Sequence, residues 1–236
     1  MIRFLSACAA ALLLSAPVNA EEGAPARSTV VVELFTSQGC SSCPPADELM
    51  EELAKRDDVI ALALHVDYWD YIGWKDDFAD PKYAQRQKKY AMRAGRHSIY
   101  TPQMIVNGTT DIVGTHPKQL EKAIAEHRAR PAAVDLDLHR DGDVVTISAV
   151  PLRQDMLPMD VQLLRYQPAR QAEITRGENA GKTIHYVNVT EGWTLLGQWD
   201  GKAPFRMTAD AEGSLPVVVL IQVARFGPIL AAAETR

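Results

Sequence analysis

Gly39-Cys40-Ser41-Ser42-Cys43-Pro44 is the most informative segment of the sequence. Its two cysteines, separated by two residues, stand between an apolar, β-branched run, Thr29 to Thr36, and a run with helical periodicity, Ala46 to Arg56. The first run predicts a buried strand and the second predicts a helix. A thiol pair between a strand and a helix is typical of thiol–disulfide exchange.

Composition limits the classes of protein to which the chain can belong. Its 236 residues are 47% hydrophobic and carry a formal net charge of −5. That length allows one large or two small domains with a sizeable core. The acidic balance argues against a nucleic-acid partner.

Residues 1–20 have the pattern of a secretory signal peptide: an arginine, a short apolar stretch, and small residues ending at Ala20. The apolar stretch is too short to span a bilayer, and we expect no membrane span after cleavage. Cleavage removes Cys8 and leaves two cysteines in a mature chain that is periplasmic or secreted, hence in an oxidising setting. Residues 21–28 predict a flexible lead-in.

Hydrophobic patterns extend the prediction through the first half of the chain. After the first helix they predict a strand at Val59 to Val66, a helix at Lys82 to Ala94, strands at Gln103 to Val106 and Thr110 to Val113, and a helix at Pro117 to Arg130. Asn107-Gly108 is a hairpin signal between the last two strands. The resulting order is β-α-β-α-β-β-α. The basic side chains of the second helix, Arg86 included, are expected to be solvated.

The pattern changes after Pro131, where apolar and polar residues begin to alternate. Strands are predicted at 133–139, 143–150, 161–166, 183–189, 193–199, 205–208 and 217–224. So many short strands suggest a β-sandwich. We therefore expect two domains, an α/β domain at 29–131 and a mostly β, sandwich-like domain at 132–236 packed on the first.

Several segments carry a family resemblance. They are residues 32–47 (VELFTSQGCSSCPPAD), Asp67-Tyr68-Trp69-Asp70, Gly73-Trp74, Thr101-Pro102-Gln103 and Arg176-Gly177-Glu178-Asn179. Together they resemble a family of secreted bacterial thioredoxin-like proteins, the domain of unknown function 1223. The likeness covers nearly all of the mature chain and implies a thioredoxin-like fold for the first domain.

The cysteines are the candidate catalytic residues. Cys40, expected at a helix N-terminus where the thiolate is favoured, is the predicted nucleophile, and Cys43 is the predicted resolving thiol. One alternative is a structural disulfide, although closing a loop of about four residues stabilises a protein by only roughly 2 kcal/mol. Another is metal binding: two thiolates suit Cu(I), whereas a zinc site needs further ligands.

The resemblance adds three residues to the candidate site. It implies a cis bond before Pro102, pairing of the Thr101 backbone with a substrate chain, and a buried carboxylate behind the thiols, for which Glu33 is the candidate. A buried carboxyl has a raised pKa, as a proton acceptor needs. The spacing from Glu33 to Cys40 is one residue longer than in thioredoxins, and a strand-edge position is the alternative. His65 is a weaker candidate base.

Two loops are expected near the thiols. The loop from Asp67 to Pro81 leaves the same sheet edge as Cys40, and its aromatic residues could form a wall there or pack locally. Its acidic residues, Asp76 included, lack calcium-loop spacing and are expected to be solvated. The charged turn at residues 176–179 is expected to be a surface turn unless the two domains fold together.

The predicted function is therefore an exported thiol–disulfide oxidoreductase that needs no cofactor. Its partners would be protein thiols or disulfides, with a membrane electron donor as a further candidate. The alternatives are a copper-binding carrier, a non-catalytic thioredoxin-like binding module and a structural envelope protein. The Ser41-Ser42 dipeptide identifies neither an oxidant nor a reductant, and Pro44-Pro45 removes two backbone donors beside Cys40.

Overall fold

The strand that precedes the cysteines, β1 (Val30–Thr36), is buried along its whole length in the computed structural model, which describes residues 29–235. It leads into α1 (Pro44–Leu53) and then into β2 (Val59–His65), which pairs with β1 in parallel. Fully buried, largely apolar strands suit a sheet covered on both faces. The expected signal peptide and lead-in, residues 1–28, lie outside the described residues.

Within residues 29–235 the chain forms eleven strands and three α-helices. The first half continues with α2 (Pro81–Arg93), β3 (Gln103–Val106), β4 (Thr110–Val113) and α3 (Pro117–Arg128). The second half contains β5 (Val134–Asp141), β6 (Val144–Pro151), β7 (Met159–Ile174), β8 (Lys182–Trp199), β9 (Phe205–Asp210), β10 (Val217–Val223) and β11 (Ile229–Thr235). The element order of the first half matches the predicted one.

Eight strands form one sheet in the order β11-β10-β7-β8-β2-β1-β3-β4. Of its neighbouring pairs, β1–β2 and β2–β8 are parallel, and β3 runs antiparallel to β1. Strands β5, β6 and β9 form a second, three-stranded sheet. The protein is therefore a mixed α/β fold built on a large, mostly β sheet.

The large sheet continues past residue 131, where the sequence predicts a boundary. Strand β8 pairs with β2 at Val189 and Ala63, and the Asn188 amide donates a hydrogen bond of 2.9 Å to the Ala61 carbonyl. The three-stranded sheet packs its apolar face on β7, β10 and β11. Two β layers thus face each other in the second half, but one of them belongs to the sheet that begins in the first half.

Successive residues of β1 face opposite sides of the sheet, as a strand requires. Val32 and Leu34 pack with α1 and α3 on one side. Val31 and Phe35 pack with α2 and with strands of the second half on the other. Glu33 shares the α2 side by this alternation, and it is completely buried.

Arg86 of α2 meets Glu33 in the core, and the expectation that its charge is solvated is wrong. Its Nε lies 2.6 Å from Glu33 Oε1, and its Nη2 lies 2.7 Å from the Tyr90 hydroxyl. Gln222 of β10 accepts a further hydrogen bond, and the Trp193 ring of β8 lies 4.1 Å from the guanidinium carbon. A buried guanidinium is tolerable here because its donors and its charge are both matched.

We predict that Arg86→Met lowers the free energy of unfolding by about 3–5 kcal/mol, because it leaves the Glu33 carboxylate buried without its partner. Urea unfolding measures this change. Arg93→Met, at an exposed position of the same helix, is the matched control and should cost far less. The double variant Glu33→Leu/Arg86→Met should be more stable than Arg86→Met, and equal losses in both would contradict the ion-pair account.

Candidate functional site

Cys40 and Cys43 form a disulfide in the loop between β1 and α1, with their Cα atoms 5.4 Å apart. The helix begins at Pro44, two residues before the predicted start, so the residue at its N-terminus is Cys43 and not Cys40. The Cys43 carbonyl accepts hydrogen bonds from the N–H groups of Ala46 and Asp47. Prolines suit the first turn, whose N–H groups have no partner within the helix.

The disulfide is shielded from solvent. Cys40 is 1% exposed and Cys43 is fully buried, whereas Ser41 and Ser42 between them are exposed. The Ser42 hydroxyl lies 3.5 Å from the Cys40 sulfur. Because thiol–disulfide exchange requires a thiolate to reach a sulfur atom, the closed arrangement limits attack by a large partner.

Pro102 lies beside the start of α1, and the bond between Thr101 and Pro102 is cis, as the resemblance implies. A Cβ added at Gly114 would lie 2.9 Å from the Pro102 Cβ and 3.0 Å from that of Ala46. This position therefore needs glycine for Pro102 to pack so closely. The pairing of Thr101 with a substrate chain stays a prediction.

The aromatic loop after β2 contacts both the cysteine loop and the Thr101-Pro102 segment. The Trp69 indole N–H donates a hydrogen bond of 2.8 Å to the Thr101 hydroxyl, and that of Trp74 donates one of 2.7 Å to the Gln38 side chain. Tyr71 is 81% exposed. The loop thus forms a wall beside the cysteine loop and presents one aromatic ring to solvent.

Glu33 is not at this site. It faces α2 and Arg86, whereas α1, which carries the cysteines at its start, lies on the opposite face of the sheet. The spacing from Glu33 to Cys40 is one residue longer than in thioredoxins. Because side chains alternate along a strand, that one residue moves the Glu33 carboxylate to the opposite face of the sheet.

Asp47 is the buried carboxyl beside the cysteines, and sequence reasoning missed it. It lies one helical turn after Cys43, is 3% exposed, and accepts a hydrogen bond of 2.8 Å from the Thr36 hydroxyl. Its second oxygen has no hydrogen-bond partner. Burial raises the pKa of Asp47 to about 7, against the opposing effects of His65 and Thr36. The spacing of four residues between Cys43 and Asp47 is the sequence signal that could have identified it, because residues so spaced share one face of a helix.

His65 and Asp76 form a buried pair on the same face of the sheet as Asp47. His65 Nδ1 lies 2.8 Å from Asp76 Oδ2, and neither side chain is exposed. Asp76 also accepts hydrogen bonds from the N–H groups of Gln38 and Phe78. Burial alone would raise the pKa of Asp76, but His65 and these donors outweigh it and lower the pKa. The expectation that Asp76 is solvated is therefore wrong, because its loop folds back over the cysteine loop.

Tyr186 of β8 closes this cluster. Its ring centroid lies 4.8 Å from that of His65, and burial raises its pKa well above the usual range. Three buried polar atoms of the cluster have no hydrogen-bond partner: Asp47 Oδ2, His65 Nε2 and Tyr186 OH. Asp47 also lines a surface cavity of about 460 Å³ between α1 and β8, together with Pro44, Lys182 and His185.

The charged turn at residues 176–179 reaches the cysteine loop. It is the tip of the hairpin between β7 and β8, and its Asn179 amide donates hydrogen bonds of 2.9 Å to the carbonyls of both Gln38 and Cys40. Asn179 is 1% exposed. The alternative of an isolated surface turn is wrong for this residue, because β8 continues the first-half sheet and carries the tip to its edge.

A metal site with three or more protein ligands is not found in the described part of the chain. Among residues 29–235 there is no group of three or more histidine, cysteine or acidic side chains that could hold a metal ion. Copper binding by Cys40 and Cys43 alone stays a prediction without a third ligand to support it. None of the helices formed by these residues is both long and apolar enough to cross a membrane.

Fold and site together define a mixed α/β protein with a buried Cys-x-x-Cys disulfide at the edge of a large sheet. Residues 31–222 match the family described as "Protein of unknown function (DUF1223)", and the chain belongs to this family.

Solved structures show the same architecture. The crystal structure of protein AGR_C_4864 from Agrobacterium tumefaciens is 29% identical, with a TM-score of 0.76 over 89% of this chain and 95% of that one. HBP35 of Porphyromonas gingivalis, 16% identical, has a TM-score of 0.56 over 89% of this chain and 75% of its own, a likeness of fold alone. The comparison with curated proteins gives no significant match.

We predict that Asp47→Asn changes how stability depends on pH. The folded state holds the Asp47 proton up to about pH 7, whereas the unfolded chain releases it near pH 4, about the ordinary value. Unfolding therefore releases a proton between these values, and the contribution of Asp47 to stability falls as pH rises. Relative to wild type, the variant should gain up to about 1.4 kcal/mol per pH unit across this window.

Urea unfolding at a series of pH values measures that gain. Glu48→Gln, which removes an exposed carboxyl from the next position of α1, is the control. A constant stability difference between Asp47→Asn and wild type from pH 4 to pH 8 would show that Asp47 does not exchange its proton in this window.

Proposed function

We propose that the protein is an exported thiol–disulfide oxidoreductase whose residues 29–131 have a thioredoxin-like fold. The proposal rests on one arrangement: the Cys40–Cys43 disulfide precedes α1, Pro102, the residue before β3, lies beside the first turn of that helix, and the Asp47 carboxyl is buried one turn after Cys43. The first-half strand order β2-β1-β3-β4 supports the fold. The signal-like pattern of residues 1–20 supports export.

The proposed reaction transfers two electrons between protein thiols and this disulfide. A partner thiolate attacks Cys40 Sγ, the Cys40–Cys43 bond breaks, and a mixed disulfide forms while Cys43 leaves as a thiolate. A second partner thiol loses its proton to solvent and attacks the partner sulfur of the mixed disulfide. The partner leaves oxidised as a disulfide, and both cysteines remain reduced. The reverse sequence oxidises the cysteines and reduces the partner.

Asp47 is the proposed acid and base for Cys43. A pKa of about 7 lets its carboxyl give a proton to the Cys43 thiolate in one direction and remove it in the other near neutral pH. Thr36 holds one carboxyl oxygen and leaves the other without a partner. The surface cavity that Asp47 lines lets the proton exchange with solvent.

Cys43→Ser should trap disulfide-linked partners through Cys40, because the mixed disulfide then lacks the thiol that resolves it. Non-reducing electrophoresis of the variant from the producing cell, followed by reduction, measures this. The controls are Cys40→Ser and the double cysteine variant. If Cys43→Ser gives no more adducts than the double variant, and the wild type does not reduce insulin disulfides, the proposed activity is wrong.

Asp47→Asn should slow disulfide exchange with a protein dithiol by about 100-fold near pH 7, the lower end of general acid–base contributions. The wild-type rate should show a titration near pH 7 that the variant lacks. Glu48→Gln should retain the rate and keep a titration displaced slightly to lower pH, because the Glu48 charge adds only a small part of the raised pKa of Asp47. Stopped-flow tryptophan fluorescence or timed alkylation across pH 5–9 measures these rates. An Asp47→Asn profile that overlays that of the wild type would remove Asp47 from the mechanism.

A further inference from the structure

The hairpin tip between β7 and β8, residues 175–181, packs on the loop that contains the disulfide. Asn179 donates to the carbonyls of Gln38 and Cys40, which flank Gly39. Lys182 in turn donates a hydrogen bond of 2.8 Å to the Asn179 side-chain oxygen. All three hydrogen bonds involve the side-chain amide of Asn179, a residue that is 1% exposed.

The tip also approaches the aromatic wall closely. Gly177 has a φ of 77°, and a Cβ added there would lie 3.3 Å from the Trp74 Cβ. Trp74 donates to the Gln38 side chain, and Asp76 accepts from the Gln38 N–H. Gln38 is therefore held from two sides: by the aromatic loop through its N–H and side chain, and by the hairpin tip through its carbonyl.

The tip has fewer anchors than the ribbon that carries it. Residues 169–174 pair with residues 182–187 of β8, and the ribbon is held at Tyr186, whose ring packs on His65. Within residues 175–181, by contrast, every residue except Asn179 is exposed. The tip can therefore lift from the cysteine loop while the ribbon below it stays packed, because its one buried side chain is Asn179.

We propose that residues 175–181 form a cover, latched by Asn179, that has to move before a partner thiolate can reach Cys40. The role of the cover in admitting partners rests on the proposed function, whereas the packing of residues 175–181 on the cysteine loop does not. The latch uses two backbone carbonyls of the cysteine loop. When the tip lifts, these carbonyls become acceptors for backbone N–H groups of an incoming protein segment. The cover therefore favours partners that offer an extended, cysteine-bearing segment over small thiols, which make no such contacts.

The rate at which dithiothreitol reduces the folded protein, measured by timed alkylation and mass, tests the cover without any partner. Asn179→Ala removes both hydrogen bonds to the cysteine loop and should accelerate reduction about tenfold, the effect of roughly 1.4 kcal/mol. Asn179→Asp keeps the side-chain size but sets a carboxylate against two carbonyls, and it should accelerate reduction at least as much.

Tyr83→Phe is the control. It removes a buried hydroxyl of α2 that donates a hydrogen bond of 2.9 Å to the Thr190 carbonyl, away from the disulfide, and it keeps the ring. The reduction rate of this variant should stay within about twofold of wild type, since the change leaves the Asn179 hydrogen bonds intact. Equal acceleration in Asn179→Ala and Tyr83→Phe, or none in either Asn179 variant, would overturn the cover.

The two proposals fail separately. An unchanged reduction rate in the Asn179 variants, with successful trapping by Cys43→Ser, would remove the cover and keep the oxidoreductase. Faster reduction in these variants, with no trapping and no insulin reduction, would keep the cover and remove the oxidoreductase.

Discussion

The buried contact between Arg86 and Glu33 constrains the whole molecule. A guanidinium in the core has to find a carboxylate, further acceptors and a polarisable surface in one place. Here Glu33 comes from the central strand β1, Gln222 from β10 and the Trp193 ring from β8, strands that come from both halves of the chain. The charge can be satisfied only when α2 lies against all three, so it ties the second half to the first.

That constraint positions the candidate site. Because the second half is held against the first-half sheet, β8 lies beside β2, and it carries Tyr186 against His65 and Asn179 over the cysteine loop. The buried acids then have clear separate roles. Asp76 is ionised by its donors and anchors the Gln38 N–H, whereas Asp47 has one oxygen without a partner and a pKa near neutrality. Asp76 and Asp47 thus lie on the same face of the sheet, Asp76 bonded to the cysteine loop and Asp47 within the helix that follows it.

Much of the first half could be predicted because its signals are local. Periodicity identified β1, β2 and three helices, and the cysteine spacing and the Thr101-Pro102 pair marked the edge where the site lies. The partners of buried charges could not be predicted, since Arg86 lies 53 residues from Glu33 and 136 from Gln222. Periodicity reports which face a residue occupies, not which distant residue meets it there.

The second half was predicted less well for the same reason. Two short strands at 183–189 and 193–199 are one long strand, β8, in which bulges absorb the breaks in the pattern. The last strand, β11, was missed because its alanine-rich sequence has low strand propensity, and pairing with β10 overrides it. Whether a strand joins an existing sheet or starts a separate domain depends on edge pairing, which leaves little trace in one sequence.

A redox titration of the folded protein in thiol buffers distinguishes an exchanging Cys40–Cys43 disulfide from a structural one. If the Cys40–Cys43 disulfide exchanges with partners, it should be reduced and reoxidised reversibly as a two-electron couple, with a midpoint above about −300 mV, the range of labile disulfides. Tryptophan fluorescence should show the fold intact throughout. A disulfide that stays oxidised below about −300 mV, or is reduced only when the protein unfolds, would contradict the account and indicate a structural bond.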